Sequence, residues 1–356
     1  MKRFFTPGPT HLYPTVPNHI QTALSQHIPS ISHRSEGFKN MYGETVQALR
    51  EVFTLPSNWE VLFFASATEI WERLLQNCIS THSFHFVNGS FSDRFFMAGK
   101  KLKLGVMNAE ADWGQGFSEV GIPGGVEMIN FTRNETSTGV MTPESFIYDY
   151  RTKHPDPLIT VDMVSSAPYT DWDWSQIDAA YFSVQKCFGL PAGLGVLLCG
   201  PRILERAQEK ANTGVSIGTY HSFPAMAQKT RQNQTIETPN GLAIYLLGKV
   251  CQDMLARGVK EMRQTIRERA QILYEFLEAH PRWSPFVEDT SFRSQTVIVA
   301  DLPEGSKEVL EQLAGKDLII GNGYGKMKGK QLRIANFPAF TDQDFEVLLT
   351  ELRKIS

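Results

Sequence analysis

Residues 179–198 read AAYFSVQKCFGLPAGLGVLL and contain the most informative pattern for predicting the fold. Two short apolar runs flank a turn with one proline and three glycines, Gly189, Gly193 and Gly195, a pattern typical of two buried strands joined by a tight turn. Lys186 stands at the edge of this turn. A buried lysine is costly unless it is paired or used, whereas a lysine at a loop edge is usually solvated. Lys186 is therefore a candidate functional residue at the end of a predicted strand.

Four further strands are predicted before this stretch, between residues 60 and 162, and each is followed by a helical pattern or a polar loop. After the first of them, Ser66 and Glu69 have the spacing of a capping box, and an apolar stripe then continues through Leu74. The predicted strands are 60–65, 84–87, 126–131, 158–162, 179–184 and, after the turn, 195–199. Repeated strand–helix–strand units with short connections predict an α/β fold, with a large domain built on a mostly parallel, mixed sheet flanked by helices.

The pattern changes near residue 250. A long charged helix is predicted from about Leu255 to His280, then strands near 295–300 and 331–336, and a last helix that begins at Thr341. These elements predict a smaller C-terminal α+β domain. We expect residues 15–250 to form the large domain, and residues 1–14 with 251–356 to form the small one.

Composition and charge exclude several classes of protein. The net charge of −3 gives no electrostatic footprint for nucleic acid or an anionic membrane, and no apolar run approaches the roughly 20 residues that cross a bilayer. The Pro-Gly-Pro at 7–9 cuts short any apolar region of a signal peptide. The four cysteines form no CxxC pair and the nine histidines form no ligand pair, so we expect reduced thiols, a cytoplasmic location and no metal site.

Polar residues follow five of the predicted strands, at the edge of a parallel sheet where ligands bind. They supply a helix N-terminus, an aromatic ring, a polar loop, a carboxylate and a lysine, in the order 66–68, 89–91, 134–139, Asp162 and 185–186. A pyridoxal phosphate enzyme needs these parts. Its lysine binds the aldehyde, its carboxylate keeps the pyridine nitrogen protonated, a helix start binds the phosphate, and a flat side chain lies against the ring.

The sequence resembles the class V branch of the fold-type I aminotransferases nearly from end to end. The resemblance rests on motifs that stand in the family's order, at 6–10, 32–35, 134–140, 161–166, 185–186 and 238–239. It implies an aminotransferase that works by a ping-pong mechanism through an internal aldimine and pyridoxamine phosphate. It also implies a homodimer with sites at the subunit interface, acting on amino acids and 2-oxo acids.

The resemblance also implies residue roles. Lys186 is the Schiff-base lysine and Asp162 the partner of the pyridine nitrogen, and these two are the catalytic residues. The remaining cofactor contacts are Phe91 on the ring, Thr136 on the ring hydroxyl, and Ser66, Ala67, Thr68 and Gln185 at the phosphate, joined by Thr238 of the neighbouring subunit. Ser66 can serve as a helix cap as well. Arg333 corresponds to the arginine that binds the substrate α-carboxylate, a task suited to a planar fork of donors.

Two branches of the family compete for the substrate. His33 and Arg34 resemble the pair that binds the substrate phosphate in phosphoserine aminotransferases, which act in serine biosynthesis. The lysines of the loop 321–330 add positive charge, so this branch is favoured. Glu237 departs from the Asn-Thr-Pro-Pro usual there, and Thr6-Pro-Gly-Pro9 is more typical of the alternative, the alanine–glyoxylate and serine–pyruvate aminotransferases. The roles of Glu237 and of the loop stay open.

Two other functions are weaker candidates. A cysteine desulfurase needs a nucleophilic cysteine on a loop near the lysine, and Cys187 is expected to point away along the chain. A non-catalytic binding protein with the same fold would not need Lys186, Asp162 and Thr136 together, and a charged lysine in a closed cleft is costly.

Overall fold

The computed structural model describes residues 2–355, in which fourteen strands and eleven α-helices are found. The strands are β1 (Arg3–Phe5), β2 (Glu60–Phe64), β3 (His82–Val87), β4 (Gly105–Glu110), β5 (Met128–Thr132), β6 (Asn134–Glu135), β7 (Val140–Met141), β8 (Leu158–Asp162), β9 (Ala179–Ser183), β10 (Gly195–Cys199), β11 (Ser284–Pro285), β12 (Val297–Asp301), β13 (Leu318–Asn322) and β14 (Gln331–Ala335). The helices are α1 (Val16–Ser25), α2 (Glu36–Phe53), α3 (Ala67–Cys78), α4 (Ser90–Lys101), α5 (Glu144–Lys153), α6 (Pro201–Asn212), α7 (Phe223–Thr230), α8 (Gly241–Arg257), α9 (Val259–Ala279), α10 (Lys307–Ala314) and α11 (Asp342–Lys354).

A seven-stranded sheet in the order β2-β10-β9-β8-β5-β3-β4 forms the centre of the molecule. The pairs from β9 through β8, β5 and β3 to β4 are parallel, and β10 is antiparallel to both β9 and β2. The antiparallel direction of β10 follows from the turn at 184–194, because a connection of eleven residues without a helix returns the chain beside the strand it has just left. The predicted α/β fold with a mostly parallel, mixed sheet is confirmed.

Both faces of this sheet are buried, which explains why its strands read as continuous apolar runs. Along β2, Val61 and Phe63 point into one core with α1, α2 and α8, whereas Leu62 and Phe64 point into a second core with α3, α6 and α7. The other central strands alternate in the same way. Helices on both faces leave the carboxyl ends of the parallel strands as the edge at which polar side chains gather.

A five-stranded sheet in the order β1-β13-β14-β12-β11 lies beside the large one and has its own core with α9, α10 and α11. The N-terminal strand β1 pairs in parallel with β13, although more than 300 residues separate them. In β14, Leu332 and Ile334 are buried and Arg333 is half-buried, as the alternation in the sequence predicts.

The predicted long helix from Leu255 to His280 is wrong in its start. The structure has two helices there, α8 and α9, separated by Gly258, whose φ of +95° interrupts the helical backbone. Strands β4 and β13 were not predicted. The side chains of β4 are half-buried or exposed at the sheet edge, so they lack the apolar run that marked the central strands.

The division into residues 15–250 and residues 1–14 with 251–356 stays a proposal, supported by the two sheets and their separate cores. The proposed boundary at residue 250 falls within α8, which packs against α2. Between residues 2 and 355, no helix has the length and apolar character that a membrane span requires.

Candidate active site

The carboxyl ends of β2, β3, β5, β8 and β9 meet at one edge of the large sheet and surround a cavity. Most of the predicted cofactor residues line it: Ala67, Thr68, Phe91, Thr136, Asp162, Gln185 and Lys186. Residues from five separate strand ends therefore converge, because parallel strands end at the same side of a sheet.

Lys186 is buried, and its ammonium group lies inside this cavity. Its Nζ donates a hydrogen bond to Thr136 Oγ1 at 2.8 Å and lies 5.0 Å from the centre of the Phe91 ring. Burial lowers the pKa of Lys186 to about 8, and the carboxylate of Asp162 acts in the opposite direction. The lysine is therefore charged at neutral pH, but its neutral form is far more accessible than that of a solvated lysine.

Asp162 ends β8 and is buried at the same edge. One carboxylate oxygen accepts from the Val164 backbone N–H at 2.9 Å, and the other accepts from the Trp71 indole N–H at 3.2 Å. Burial raises the pKa of Asp162 to about 6, and the Val164 N–H, Lys186 and the indole oppose that shift. The group is an anion at neutral pH, and each oxygen keeps a further lone pair for a cationic partner in the cavity.

A polar network fixes the loop that follows β5. Ser165 Oγ accepts from Asn134 Nδ2 at 2.7 Å and from Thr136 Oγ1 at 2.9 Å, and it donates to the Asn134 carbonyl. The Asn134 Oδ1 is buried and has no hydrogen-bond partner among residues 2–355. Since Asn134 lines the cavity, this oxygen is an acceptor left for a ligand.

The first turn of α3 faces the same cavity. Ser66 caps the helix by accepting from the Glu69 N–H at 3.2 Å, and the Ala67 N–H donates to Ser183 Oγ at 2.7 Å. Gly195 allows β10 to pass this helix start, because a Cβ there would lie 2.5 Å from the carbonyl carbon of Ser66. Thr68 is exposed, so a helix N-terminus with a free hydroxyl beside it is available for an anion.

The half-buried Phe91 lies in the first turn of α4, which a buried carboxylate holds in position. Glu135 accepts hydrogen bonds from the backbone N–H of Phe91 and from both the N–H and the hydroxyl of Ser92. The same carboxylate accepts from the N–H and hydroxyl of Ser137. Glu135 thus ties the ring of Phe91 to the loop that carries Thr136.

Arg333, on β14 of the small sheet, does not line the cavity but contacts Thr136, which does. Its Nε donates to the Asn322 carbonyl at 2.7 Å and one terminal nitrogen donates to the Thr136 carbonyl at 3.1 Å. Tyr324, in the loop 321–330, lies between the guanidinium of Arg333 at 5.1 Å and the ring of Phe91 at 5.3 Å. Burial lowers the pKa of Arg333 to about 10, so the group stays charged at neutral pH.

Three predicted site residues lie elsewhere in this chain. Thr238 Oγ1 is 3.5 Å from His33 Nδ1, and Arg34 donates to Gln234 Oε1 and to the carbonyls of Thr235 and Ile236. None of the three lines the cavity around Lys186. We call His33, Arg34 and Thr238 the His33 cluster.

Four side chains that shape the site were missed in the sequence: Trp71, Glu135, Ser165 and Ser183. Glu135 and Ser165 lie inside motifs that the sequence analysis recognised, so their positions were indicated but their contacts were not predicted. The buried face of α3 marked Trp71 as a core residue, and nothing local indicated that its N–H binds Asp162.

The chemistry of the donors fits pyridoxal phosphate. A lysine with an accessible neutral form, a buried carboxylate, a helix start, a ring face and an unpaired amide oxygen stand around one cavity. The four cysteines, by contrast, are all buried as free thiols, and burial raises the pKa of Cys187 well above its usual value. Among residues 2–355, no group of three or more His, Cys, Asp or Glu side chains is arranged to hold a metal ion.

Comparisons with known proteins agree with this chemistry. Residues 96–321 match the family model for class-V aminotransferases. A phosphoserine aminotransferase of a Nocardioides species is 30% identical over 349 residues, which cover 93% of this chain and 91% of that protein.

Two solved structures extend the comparison. The crystal structure of a phosphoserine aminotransferase from Cytophaga hutchinsonii is 46% identical, with a TM-score of 0.98 over 99% of this chain and 98% of that one. An alanine–glyoxylate aminotransferase from a Nostoc species has a TM-score of 0.85 over 99% of this chain and 95% of that one. At 20% identity, it shares the fold alone.

Proposed function

This chain belongs to the class-V aminotransferase family, and from that membership we propose that it transfers the amino group of O-phosphoserine to 2-oxoglutarate. The products are 3-phosphohydroxypyruvate and glutamate, in serine biosynthesis. The observation that carries the proposal is the 46% identity to a phosphoserine aminotransferase structure over nearly the whole chain. For the alternative, an alanine–glyoxylate or serine–pyruvate aminotransferase, the comparable structure is only 20% identical and shows the fold alone.

Pyridoxal phosphate is the cofactor, and when bound it supplies an aldehyde that combines with amines and a ring that withdraws electrons from the substrate Cα–H bond. Lys186 then takes the Cα proton at its Nζ, and the same atom later returns it. The low pKa of about 8 favours this work, since a proton shuttle acts best when its pKa is near the working pH. Thr136 orients the Nζ through its hydrogen bond.

Asp162 supplies the negative charge that keeps a pyridine nitrogen protonated. Its two oxygens are each fixed by one N–H donor, so the carboxylate cannot rotate away from the cavity. At about 4 Å and an effective dielectric near 20, an ion pair supplies roughly 4 kcal/mol before desolvation, enough to hold the proton on the ring.

Arg333 binds the substrate α-carboxylate. A guanidinium carries five N–H donors, and two of them are committed to the Asn322 and Thr136 carbonyls. Those two bonds hold the planar fork while the remaining donors face the carboxylate. Ala67, Thr68 and Gln185 would hold the phosphate of the cofactor at the start of α3, where the helix dipole and the exposed Thr68 hydroxyl favour an anion.

The active unit is a homodimer in which the His33 cluster completes the site of the other subunit. The resemblance assigns Thr238 to the neighbour's cofactor phosphate, and His33 contacts Thr238 within the same chain. The two must therefore serve the same site, together with Arg34. Arg34 has three of its five donors committed to the 234–236 segment, which leaves two for the phosphate of the substrate.

We keep a cytoplasmic location as part of the proposal. All four cysteines are buried free thiols, which is consistent with a reducing compartment.

The test compares kcat/KM for O-phosphoserine with 2-oxoglutarate against kcat/KM for alanine or serine with glyoxylate. We expect the first to be larger. The Arg34→Ala variant should lose about 10- to 100-fold in kcat/KM for phosphoserine, because it removes a charged hydrogen-bond partner of the phosphate.

Arg282→Ala is the matched control, since Arg282 is also exposed and also bonds a backbone carbonyl, on the surface of the small sheet. A preference for alanine, or an Arg34→Ala variant that behaves like Arg282→Ala, contradicts the phosphoserine proposal and leaves the aminotransferase family unaffected.

A further inference from the structure

The segment 6–13, which we call the N-terminal strip, crosses directly over the turn that carries Lys186. It connects β1 in the small sheet to α1, which packs against α8. The Thr10 N–H donates to the Gln185 carbonyl at 3.1 Å, and the Tyr13 N–H donates to the Gly189 carbonyl at 2.8 Å. The strip is therefore anchored on both sides of Lys186.

Gly8 is the point at which the strip touches the lysine. Its φ is +111°, a conformation that side chains other than glycine's rarely allow. A Cβ on Gly8 would lie 2.7 Å from Cγ, 2.9 Å from Cε and 3.3 Å from Cδ of Lys186. A side chain at position 8 and the present position of the lysine side chain therefore exclude one another.

The strip cannot move away to relieve such a contact. On its other side, Pro7 packs against Gly321 of β13, where a Cβ would lie only 2.6 Å from Pro7 Cδ. Gly321 pairs with Arg333 across the β13–β14 ladder, so the strip is backed by the strand next to the carboxylate-binding arginine. Between an anchored backbone and a flexible lysine chain, the lysine is the part that yields.

We propose that Gly8 is a positioning residue for Lys186: the bare backbone at this position leaves the room that the lysine chain needs to direct its Nζ at Thr136. The proposal rests on the proposed function in that it takes Lys186 to be the lysine that binds the cofactor. It gives a role to the Thr6-Pro-Gly-Pro9 motif, for which the reaction itself required none.

The experiment compares Gly8→Ala with Gly125→Ala in the purified holoenzyme. Gly125 has a φ of +83°, and a Cβ added there would meet no atom within 4 Å, so its substitution carries the backbone strain without the contact. Three quantities are measured for each variant: the unfolding midpoint in denaturant, the pH midpoint of the near-visible band of the lysine-bound cofactor, and the single-turnover rate with the amino acid substrate.

We expect both variants to unfold at similar denaturant concentrations. Gly8→Ala alone should shift the pH midpoint of the band and reduce the single-turnover rate by about 10- to 100-fold, the cost of a small misplacement of a reacting group. The double variant Pro7→Ala/Gly8→Ala should recover part of the rate, because the strip can then retreat toward Gly321.

Gly8→Ala that matches Gly125→Ala in band and rate overturns the proposal. So does Gly8→Ala that fails to fold, since the strip and not the lysine would then have given way, and so does a double variant with no recovery. A near-visible band that persists in Lys186→Ala contradicts the proposed function, and this proposal with it.

Discussion

Lys186 and Asp162 have pKa values that burial shifts in opposite directions, and each group limits the shift of the other. Burial disfavours the charged form of both, so it lowers the pKa of the lysine and raises that of the aspartate. Their mutual attraction favours the charged forms. The result is a lysine poised near neutral pH beside an acid that is still ionised there, which is what a proton shuttle and a ring-protonating group respectively need.

The rate at which the apoprotein binds pyridoxal phosphate should therefore rise with pH through a midpoint near 8, because only the neutral amine reacts. In Asp162→Asn the midpoint should fall, since the carboxylate that raises the pKa of Lys186 is gone. The measurement is the initial rate of appearance of the near-visible band across neutral and alkaline pH, with Lys186→Ala as the blank. A midpoint near that of free lysine, or one that Asp162→Asn leaves in place, contradicts this account of the site.

At the scale of elements, the start of α4 is held by a side chain from another part of the chain. The buried Glu135 carboxylate takes the place of an N-cap residue, because Gly89 before the helix has no side chain that could accept from the first N–H groups. It binds the first turn of α4 and the loop carrying Thr136 at once. The element that presents the ring and the loop that orients the lysine are thus fixed to each other.

Glu135→Gln should lower the free energy of unfolding by about 2–4 kcal/mol. The amide NH2 of glutamine is a donor, so it cannot accept the hydrogen bonds that backbone N–H groups donate to the carboxylate. Urea denaturation measures the loss, and the affinity for pyridoxal phosphate should fall with it. Glu127→Gln is the matched control: the half-buried Glu127 carboxylate also accepts several N–H bonds, from residues 80–82, away from the cavity. Equal losses of stability with unchanged cofactor affinity in both variants would contradict a role for Glu135 in the site.

At the scale of the whole molecule, one chain does not contain every predicted site residue at one place. The cavity around Lys186 and the His33 cluster are separate within a chain. In a two-fold symmetric dimer, the His33 cluster of each subunit can lie at the Lys186 cavity of the other. The same contact is then made twice, and both sites are complete.

Mixed dimers test this arrangement. Subunits with Lys186→Ala and subunits with Arg34→Ala are each expected to be inactive or weak with phosphoserine. In a hybrid, however, the Arg34→Ala subunit contributes Lys186 and its partner contributes Arg34, which completes one of two sites. An equal mixture that exchanges freely should recover about a quarter of the wild-type activity, since half of the dimers are hybrids with one working site. A mixture no more active than its components would place Arg34 at the site of its own chain.

The α/β class, the five strand ends and the residues that follow them could be predicted from the amino-acid sequence. Each strand is a local apolar run buried on both faces, and Lys186 and Asp162 stand directly after such runs, so short-range patterns were sufficient. The same patterns failed at two places. Strand β4, at the edge of the sheet, is too polar to be recognised, and a helix pattern does not reveal the break at Gly258.

The residues that surround Lys186 and Asp162 could be found only from the folded chain. Trp71 binds Asp162 although 91 positions separate them in the sequence. Gly8 lies against Lys186 although most of the residues of the proposed large domain lie between them in the sequence. It was also the folded chain that separated Arg34 from Lys186. Contacts of this kind depend on how elements pack, and packing leaves no mark in the local sequence when one partner is an ordinary core tryptophan or a glycine.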